Sequence, residues 1–161
     1  MQETQTTTEK SSPRHTEPLQ IIGRVAKPMS FPLEVLQTMD CLDTGILPMI
    51  CGSGEPKGKL GNCRGVLLAD LINRTEIVVT AHNDTKKMYV VASSDDGYKT
   101  VFSWQEIFNS TNGEGIVIIL EKDGQPLYQG CGDVDLISAN DHLTGPRYVR
   151  RLKTVEIIMV K

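Results

Sequence analysis

Short apolar runs, separated by polar or glycine-containing turns, recur along most of this chain. Runs rich in β-branched and aliphatic residues predict strands, and turn residues bound most of them. The predicted extended segments are 19–25, 46–51, 75–80, 88–93, 98–102, 115–120, 126–128, 135–139, 147–152 and 154–160. Helical spacing is confined to brief stretches that do not alternate regularly with the strands. The pattern therefore favours a mixed α+β domain, a bent sheet or open barrel with short flanking helices.

Local signals place three short helices. Ser30 is a candidate N-cap for a helix that runs to about Met39. A second helix is predicted over 66–73, where apolar residues recur at helical spacing. Ser103, followed three residues later by Glu106, forms a capping-box pattern that opens the third helix.

The stretch from 46 to 72 concentrates the candidate chemistry. An apolar run ends at Cys51, a loop rich in glycine follows, and the loop closes at Cys63. The sequence predicts a strand, a loop and a helix, with a thiol at the end of the strand. Three interpretations of Cys51 stay open: a thiolate that binds a metal, a small apolar side chain in the core, or a disulfide with Cys63 that closes the loop.

Length and composition predict one domain over 19–161. The 161 residues are 39% hydrophobic, enough for one packed core. Residues 1–18 are mostly Thr, Gln, Glu and Ser, and we expect a disordered polar tail. A polar leader of this kind is typical of a tether that follows a removed export signal, which slightly favours an extracytoplasmic location over a cytoplasmic one.

Charge and hydropathy exclude several classes of partner. The formal net charge is -3, which gives no general attraction to nucleic acid, and no apolar run is long enough to span a bilayer. The dense basic cluster is Arg147, Arg150, Arg151 and Lys153. It suits either recognition of a phosphate or the charged protection of an edge strand. In an extended segment, Arg147 and Arg151 would share one face.

Several successive blocks resemble the oxidoreductase molybdopterin-binding domain, the cofactor domain of the sulfite oxidase superfamily. The resemblance covers about residues 19–161. The blocks that carry it, in chain order, are L-Q-I-I-G-R-V with K-P at 19–28, Cys51 before a Gly/Ser loop, R-G-V-L-L-A-D-L-I at 64–72, D-G-Y at 96–98, G-Q-P-L at 124–127 and G-P-R-Y-V-R-R-L at 145–152.

This resemblance implies a sulfite oxidase-like fold and a redox function. It places Cys51 as the thiolate that binds molybdenum at the catalytic centre. It also implies a molybdopterin cofactor that takes part in oxygen-atom or electron transfer, and a redox partner protein or small-molecule ligand. The implied cofactor-binding residues are Gly52, Ser53, Arg64, Gly145, Arg147, Arg150 and Arg151.

The chain departs from the family pattern at three places. Cys63 stands where the helix motif has a tryptophan, and the Arg-Asn-His segment that precedes the first strand in the family is not recognisable. Asp133-Val134-Asp135 stands where many members have an arginine. These departures support the alternative of a cofactor-free module that binds a ligand or a protein on the same scaffold.

Overall fold

The structure, a computed structural model, describes residues 17–161 as a mixed α+β domain made mostly of strands. The three helices are short: α1 is Leu33–Leu36, α2 is Leu68–Ile72 and α3 is Trp104–Phe108. Three single 3₁₀ turns lie at Asp84–Lys87, Thr111–Gly115 and Leu127–Gly130. The twelve strands are β1 Leu19–Gly23, β2 Met29–Phe31, β3 Leu42–Asp43, β4 Leu47–Ile50, β5 Pro56–Leu60, β6 Cys63–Leu67, β7 Met88–Ser94, β8 Lys99–Ser103, β9 Ile116–Lys122, β10 Gln125–Pro126, β11 Asp135–Ser138 and β12 Leu152–Met159.

One five-stranded sheet has the order β2-β1-β12-β7-β8. Its one parallel pair joins β1 to β12, with Ile21 opposite Val155, and its other pairs are antiparallel. Strand β7 alternates buried and half-buried residues, as expected of a strand with one face on the core. The first and last strands thus lie side by side in the interior of this sheet.

A second sheet is built around β9, whose first five residues are all buried. Strand β6 pairs with one edge of β9, and β10 and β11 pair with the other edge; β3 pairs with β6. Strands β4 and β5 form a separate hairpin. The main core lies against the five-stranded sheet and holds residues from all three helices, while a smaller cluster that includes Cys63 packs under the hairpin.

Most of the predicted strands are present. Strands β1, β4, β7, β8, β9, β11 and β12 lie within one to three residues of the predicted segments. The capping box at α3 is confirmed: the Ser103 hydroxyl accepts from the Glu106 N–H, and the Glu106 carboxylate accepts from the Ser103 N–H. The mixed α+β class predicted from the pattern is also confirmed.

The Ser30 cap is wrong. Residues Met29–Phe31 form β2 against β1, and α1 starts after Pro32 without a side-chain cap. Pro32 provides a fixed φ of -65° at the position before the helix. The predicted helix itself forms, but only over Leu33–Leu36, and it ends before Met39.

The prediction of a helix over 66–73 is half wrong, because β6 occupies Cys63–Leu67 and α2 begins only at Leu68. Gly65 explains the strand. A Cβ at this position would lie 1.9 Å from the Ile118 carbonyl oxygen, so only glycine permits this approach of β6 to β9.

Three predicted strands are absent or nearly absent as regular elements. Of 126–128, only Pro126 lies in a strand, β10, while Leu127 and Tyr128 lie in the turn Leu127–Gly130. In 75–80, Ile77 makes an isolated bridge with Val25, and in 147–152, Val149 makes one with Leu136. Arg151 has a φ of 52°, a left-handed conformation that interrupts an extended strand. The face predicted to hold both Arg147 and Arg151 therefore does not form.

The predicted tail over 1–18 lies almost wholly outside the described residues. Among residues 17–161, no helix is long and apolar enough to cross a membrane.

Candidate functional site

Cys51 lies directly after β4, in a tight turn that leads to β5. Its N–H donates to the Glu55 carbonyl at 3.0 Å, and its own carbonyl accepts from the Gly54 N–H at 2.9 Å. Because β5 starts at Pro56, the broad glycine loop predicted between Cys51 and Cys63 is wrong, and a β-hairpin takes its place. The hairpin holds the Cys51 side chain at its tip.

The Cys51 thiol is half-buried and lies in an environment that favours its anion. Its Sγ is 2.8 Å from the Ser53 hydroxyl. Hydrogen bonds from the side chain and backbone of Ser53 lower the pKa of Cys51, and the backbone of Glu55 and the charge of Lys57 act in the same direction. A thiolate is the form of cysteine that binds metals and reacts as a nucleophile.

Cys63 is a different kind of cysteine. It is fully buried, its Sγ contacts the Gly61 carbonyl at 3.3 Å, and burial raises the pKa of its thiol. All four cysteines are free, so the disulfide between Cys51 and Cys63 is not formed in this structure. Cys63 packs as a small apolar residue, while Cys51 has an accessible thiol.

The segment 144–146 forms one wall beside Cys51. The Gly145 N–H donates to the Ile50 carbonyl at 2.8 Å, and a Cβ on Gly145 would come within 2.8 Å of the same oxygen. The Thr144 hydroxyl accepts from the Ile50 N–H at 3.0 Å and donates to the Pro48 carbonyl at 2.8 Å. Of the residues that were predicted to share a site, the structure therefore brings Gly52, Ser53 and Gly145 together with Cys51.

Arg147 is engaged within the protein at every N–H. The Nε–H group and one Nη2–H group donate to the Asp141 carboxylate at 2.8 and 2.7 Å. The other Nη2–H group and one Nη1–H group donate to the Glu106 carboxylate at 2.7 and 2.9 Å. The remaining Nη1–H group donates to the Val101 carbonyl at 3.1 Å, and the guanidinium carbon lies 4.4 Å from the centre of the Phe102 ring. A guanidinium has five N–H donors, so Arg147 has none left for a ligand.

Arg147 instead fixes the chain around the site. Its hydrogen bonds lower the pKa of Glu106. Burial raises the pKa of Asp141, but hydrogen bonds from Arg147 and Ser138 outweigh it and leave that pKa lowered. The three charges tie α3 and the edge of β8 to the segment that carries Gly145.

The other predicted arginines lie in separate places. Arg150 and Arg151 line a pocket of about 470 Å³ whose lining includes neither Cys51 nor Arg147. Arg64 pairs with Asp43 at 3.4 Å and lines another pocket, of about 230 Å³, together with Cys41. The predicted site residues thus fall into four groups rather than one.

Comparisons with known proteins provide a fold relationship and no sequence family. No family model matches the sequence, and a search of curated proteins finds no significant match. The fold is similar to the crystal structure of the sulfane dehydrogenase SoxCD from Paracoccus pantotrophus, with a TM-score of 0.66 and 16% identity. The match shows a shared fold. It covers 91% of this chain but only 39% of that chain, so the domain corresponds to less than half of the dehydrogenase chain.

The donor groups beside Cys51 fit a metal held by one protein thiolate. Within residues 17–161, no group of three or more His, Cys, Asp or Glu is arranged around a common metal position. The metal that the resemblance implies would have Cys51 as its thiolate ligand and would take its remaining ligands from the cofactor. The soft thiolate and the glycines around it suit such a group, whereas Arg147 does not supply the predicted anchor.

Two buried carboxylates were not predicted as structural centres. Asp133 accepts from Arg151 at 2.8 Å and from Lys153 at 2.5 Å. Asp135 is 2% exposed and accepts from the hydroxyls of Tyr128 and Tyr148, each at 2.7 Å. The sequence carried one signal for this arrangement, namely two acidic residues at alternate positions at the start of an apolar strand.

Proposed function

We propose that this domain binds a molybdopterin-type cofactor through Cys51 and takes part in oxygen-atom or electron transfer. One observation carries the proposal: a free, accessible thiol with a lowered pKa stands at the strand end where the sulfite oxidase-like pattern has its metal ligand. The shared fold with a sulfane dehydrogenase, an oxidoreductase by name, supports the same class of activity.

Each residue near Cys51 has a distinct part in this proposal. The Cys51 thiolate is the protein ligand to the metal, and Ser53 keeps it ionised by donating to it. Gly52 follows the thiolate directly, and Gly145 lets the segment 144–146 pack closely against the backbone of Ile50 and Cys51. Arg147 is a positioning residue that holds the segment with Gly145 in place. When bound, the cofactor supplies the redox chemistry, and the chain supplies its binding and orientation.

Arg64, Arg150 and Arg151 are left out of this site. The sequence predicted them as cofactor contacts, but they line pockets that do not include Cys51. The organic part of the cofactor would therefore meet mainly backbone groups and the Cys51 hairpin.

Metal analysis tests this function. The protein is produced in a host that makes molybdenum cofactor, and molybdenum and pterin are measured in the wild type, Cys51→Ser and Cys41→Ser. We expect both components in the wild type and in Cys41→Ser, which alters a half-buried thiol outside the hairpin. We expect neither in Cys51→Ser. A folded wild-type protein that lacks molybdenum and pterin would overturn the proposal.

A cofactor-free binding module is the second candidate, and the saturation of Arg147 favours it. The residue predicted to anchor the cofactor is committed to Glu106, Asp141 and Val101. In that case the purified protein contains no metal, and its Cys51 titrates with a thiol reagent as a free, reactive group. If the Cys51 thiol instead reacts with the reagent only after the metal has been removed, the result would support the cofactor.

A further inference from the structure

The pocket that contains Arg150 and Arg151 is formed by three loops that come from different parts of the fold. The β7–β8 turn provides Asp95 and Asp96, the turn after β10 provides Leu127 and Tyr128, and the segment before β12 provides Tyr148 and the two arginines. Lys122, at the end of β9, completes the wall. A volume of about 470 Å³ lies in the range of small-molecule sites.

Hydrogen bonds and an ion pair within the protein hold the floor of this pocket. The buried carboxylate of Asp135 accepts from both tyrosine hydroxyls and from the Arg151 N–H at 2.9 Å. The Arg151 guanidinium is bound to Asp133 and lies 4.2 Å over the Tyr128 ring. These contacts hold the two phenol rings and Arg151 in place before any ligand arrives.

Unusual backbone conformations occur in the same walls. Tyr128, Gln129 and Arg151 have φ values of 51°, 60° and 52°, in the left-handed region that favours glycine. Such conformations cost free energy and are concentrated at functional sites. Here they belong to the two segments that face each other across Asp135.

The rim carries charges that have no partner within the described residues. Lys122 and Arg150 make no ion pair there, although Arg150 lies 5.5 Å over the Tyr148 ring. Among the acidic residues of the rim, Asp95 also has no cation of the described chain within 4.0 Å. The Asp96 carboxylate accepts hydrogen bonds only from the Ser94 hydroxyl and the Tyr98 N–H. Charges of both signs therefore share one pocket without neutralising one another directly.

We infer that this pocket binds a small zwitterion of the α-amino acid type. The ligand's ammonium group faces Asp95 and Asp96, its carboxylate faces Arg150 and Lys122, and its side chain lies against Leu127 and the tyrosine rings. The lining holds three acidic and three basic residues, so a simple anion would be repelled by the carboxylates. This binding does not depend on Cys51 or on a cofactor.

Matched ligands test the inference. Binding to the full chain is measured by titration calorimetry and ligand-observed NMR with a panel of L-α-amino acids. Each amino acid is paired with its des-amino acid and with its decarboxylated amine. We expect at least one amino acid to bind and each of its two analogues to bind about tenfold more weakly, since each loses one charge-assisted contact.

Two variants and one control make the site specific. Arg150→Gln and Asp95→Asn are each expected to weaken binding about tenfold. Arg74→Gln, an exposed substitution of the same chemistry that lies outside this pocket, is expected to leave it unchanged. If no amino acid binds to the folded protein, or if the des-amino acid binds as tightly as its parent, the inference is overturned. Neither result affects the molybdenum measurement on Cys51.

Discussion

Replacement of Arg147 by glutamine should destabilise the fold substantially. Arg147 makes four hydrogen bonds to two carboxylates and one to a carbonyl, and the side chains of Arg147, Glu106 and Asp141 are only 20%, 23% and 13% exposed. Loss of one partner of a buried ion pair costs about 3–5 kcal/mol. Because these groups keep some solvent, we expect a loss of about 2–4 kcal/mol at neutral pH.

The pH dependence of this loss has a defined sign. The pKa values of Glu106 and Asp141 are lowered in the folded state, so the stabilisation from their ionised forms is present above their unfolded pKa. It is lost as pH falls through the folded pKa values. The difference between wild type and Arg147→Gln should therefore be largest above about pH 5 and should shrink below about pH 4.

Urea unfolding of the wild type and Arg147→Gln at several pH values measures both quantities. Arg74→Gln is the matched control, because Arg74 is exposed and makes no ion pair in the described part of the chain. It should change the free energy of unfolding by less than about 0.5 kcal/mol. If Arg147→Gln is as stable as this control at pH 7, or if its deficit grows in acid, the assignment of Arg147 as a structural ion-pair centre is wrong.

Three further predictions concern the sheet contact, an acidic loop and the thiols. Gly65→Ala should lower the unfolding free energy by about 3 kcal/mol or prevent folding, whereas Gly52→Ala, with only an ordinary contact at 3.6 Å, should cost less than about 1 kcal/mol in the same urea titration. The backbone and hydroxyl donors of its loop lower the pKa of Asp84 to about 2, so its contribution to the free energy of unfolding is present above pH 4 and is lost as pH falls toward 2. Asp84→Asn should therefore speed amide exchange in that loop at pH 7, and unchanged exchange would contradict this role. In the metal-free protein, iodoacetamide should alkylate Cys51 much faster than Cys63 at pH 7, as read by peptide mass spectrometry; equal rates would refute the contrast between the two thiols.

Local sequence signals predicted most of the fold. The capping box at Ser103 and Glu106 is present because both of its hydrogen bonds are made within one helical turn. Strand β9 could be predicted because a continuous run of apolar residues indicates a strand that is buried on both faces. In each case the deciding physics lies between residues close in sequence.

The errors came from contacts between distant residues. The helix was predicted to start at residue 66, but the close approach of Gly65 to β9 keeps residues 63–67 in a strand, and no local signal specifies that neighbour. The family resemblance implied that Arg147 contacts the cofactor, and the sequence does not distinguish an exposed arginine from one whose donors are all engaged. Its partners Glu106 and Asp141 could be identified only once the chain was folded.

The candidate site was predictable only in part, for the same reason. Cys51, Gly52 and Ser53 are consecutive and remain together, and Gly145 joins them through the Ile50 carbonyl. The basic cluster is equally compact in sequence, yet the left-handed backbone of Arg151 and the ion pairs of Arg147 with Glu106 and Asp141 place its side chains in different surroundings. Proximity along the chain therefore did not ensure a shared pocket.

The position of β12 between β1 and β7 has a consequence for biosynthesis. Within this domain, β1 and β2 are translated before the other strands, but the strand that joins β1 to the rest of its sheet is made of residues 152–159. The nascent chain must therefore carry β1 with an unpaired edge until synthesis reaches the far end of the domain. Such edges are prone to association with other chains. A ribosome stalled before residue 152 should hold a chain that is open to proteases and bound by chaperones, and release of the last strand should close the sheet.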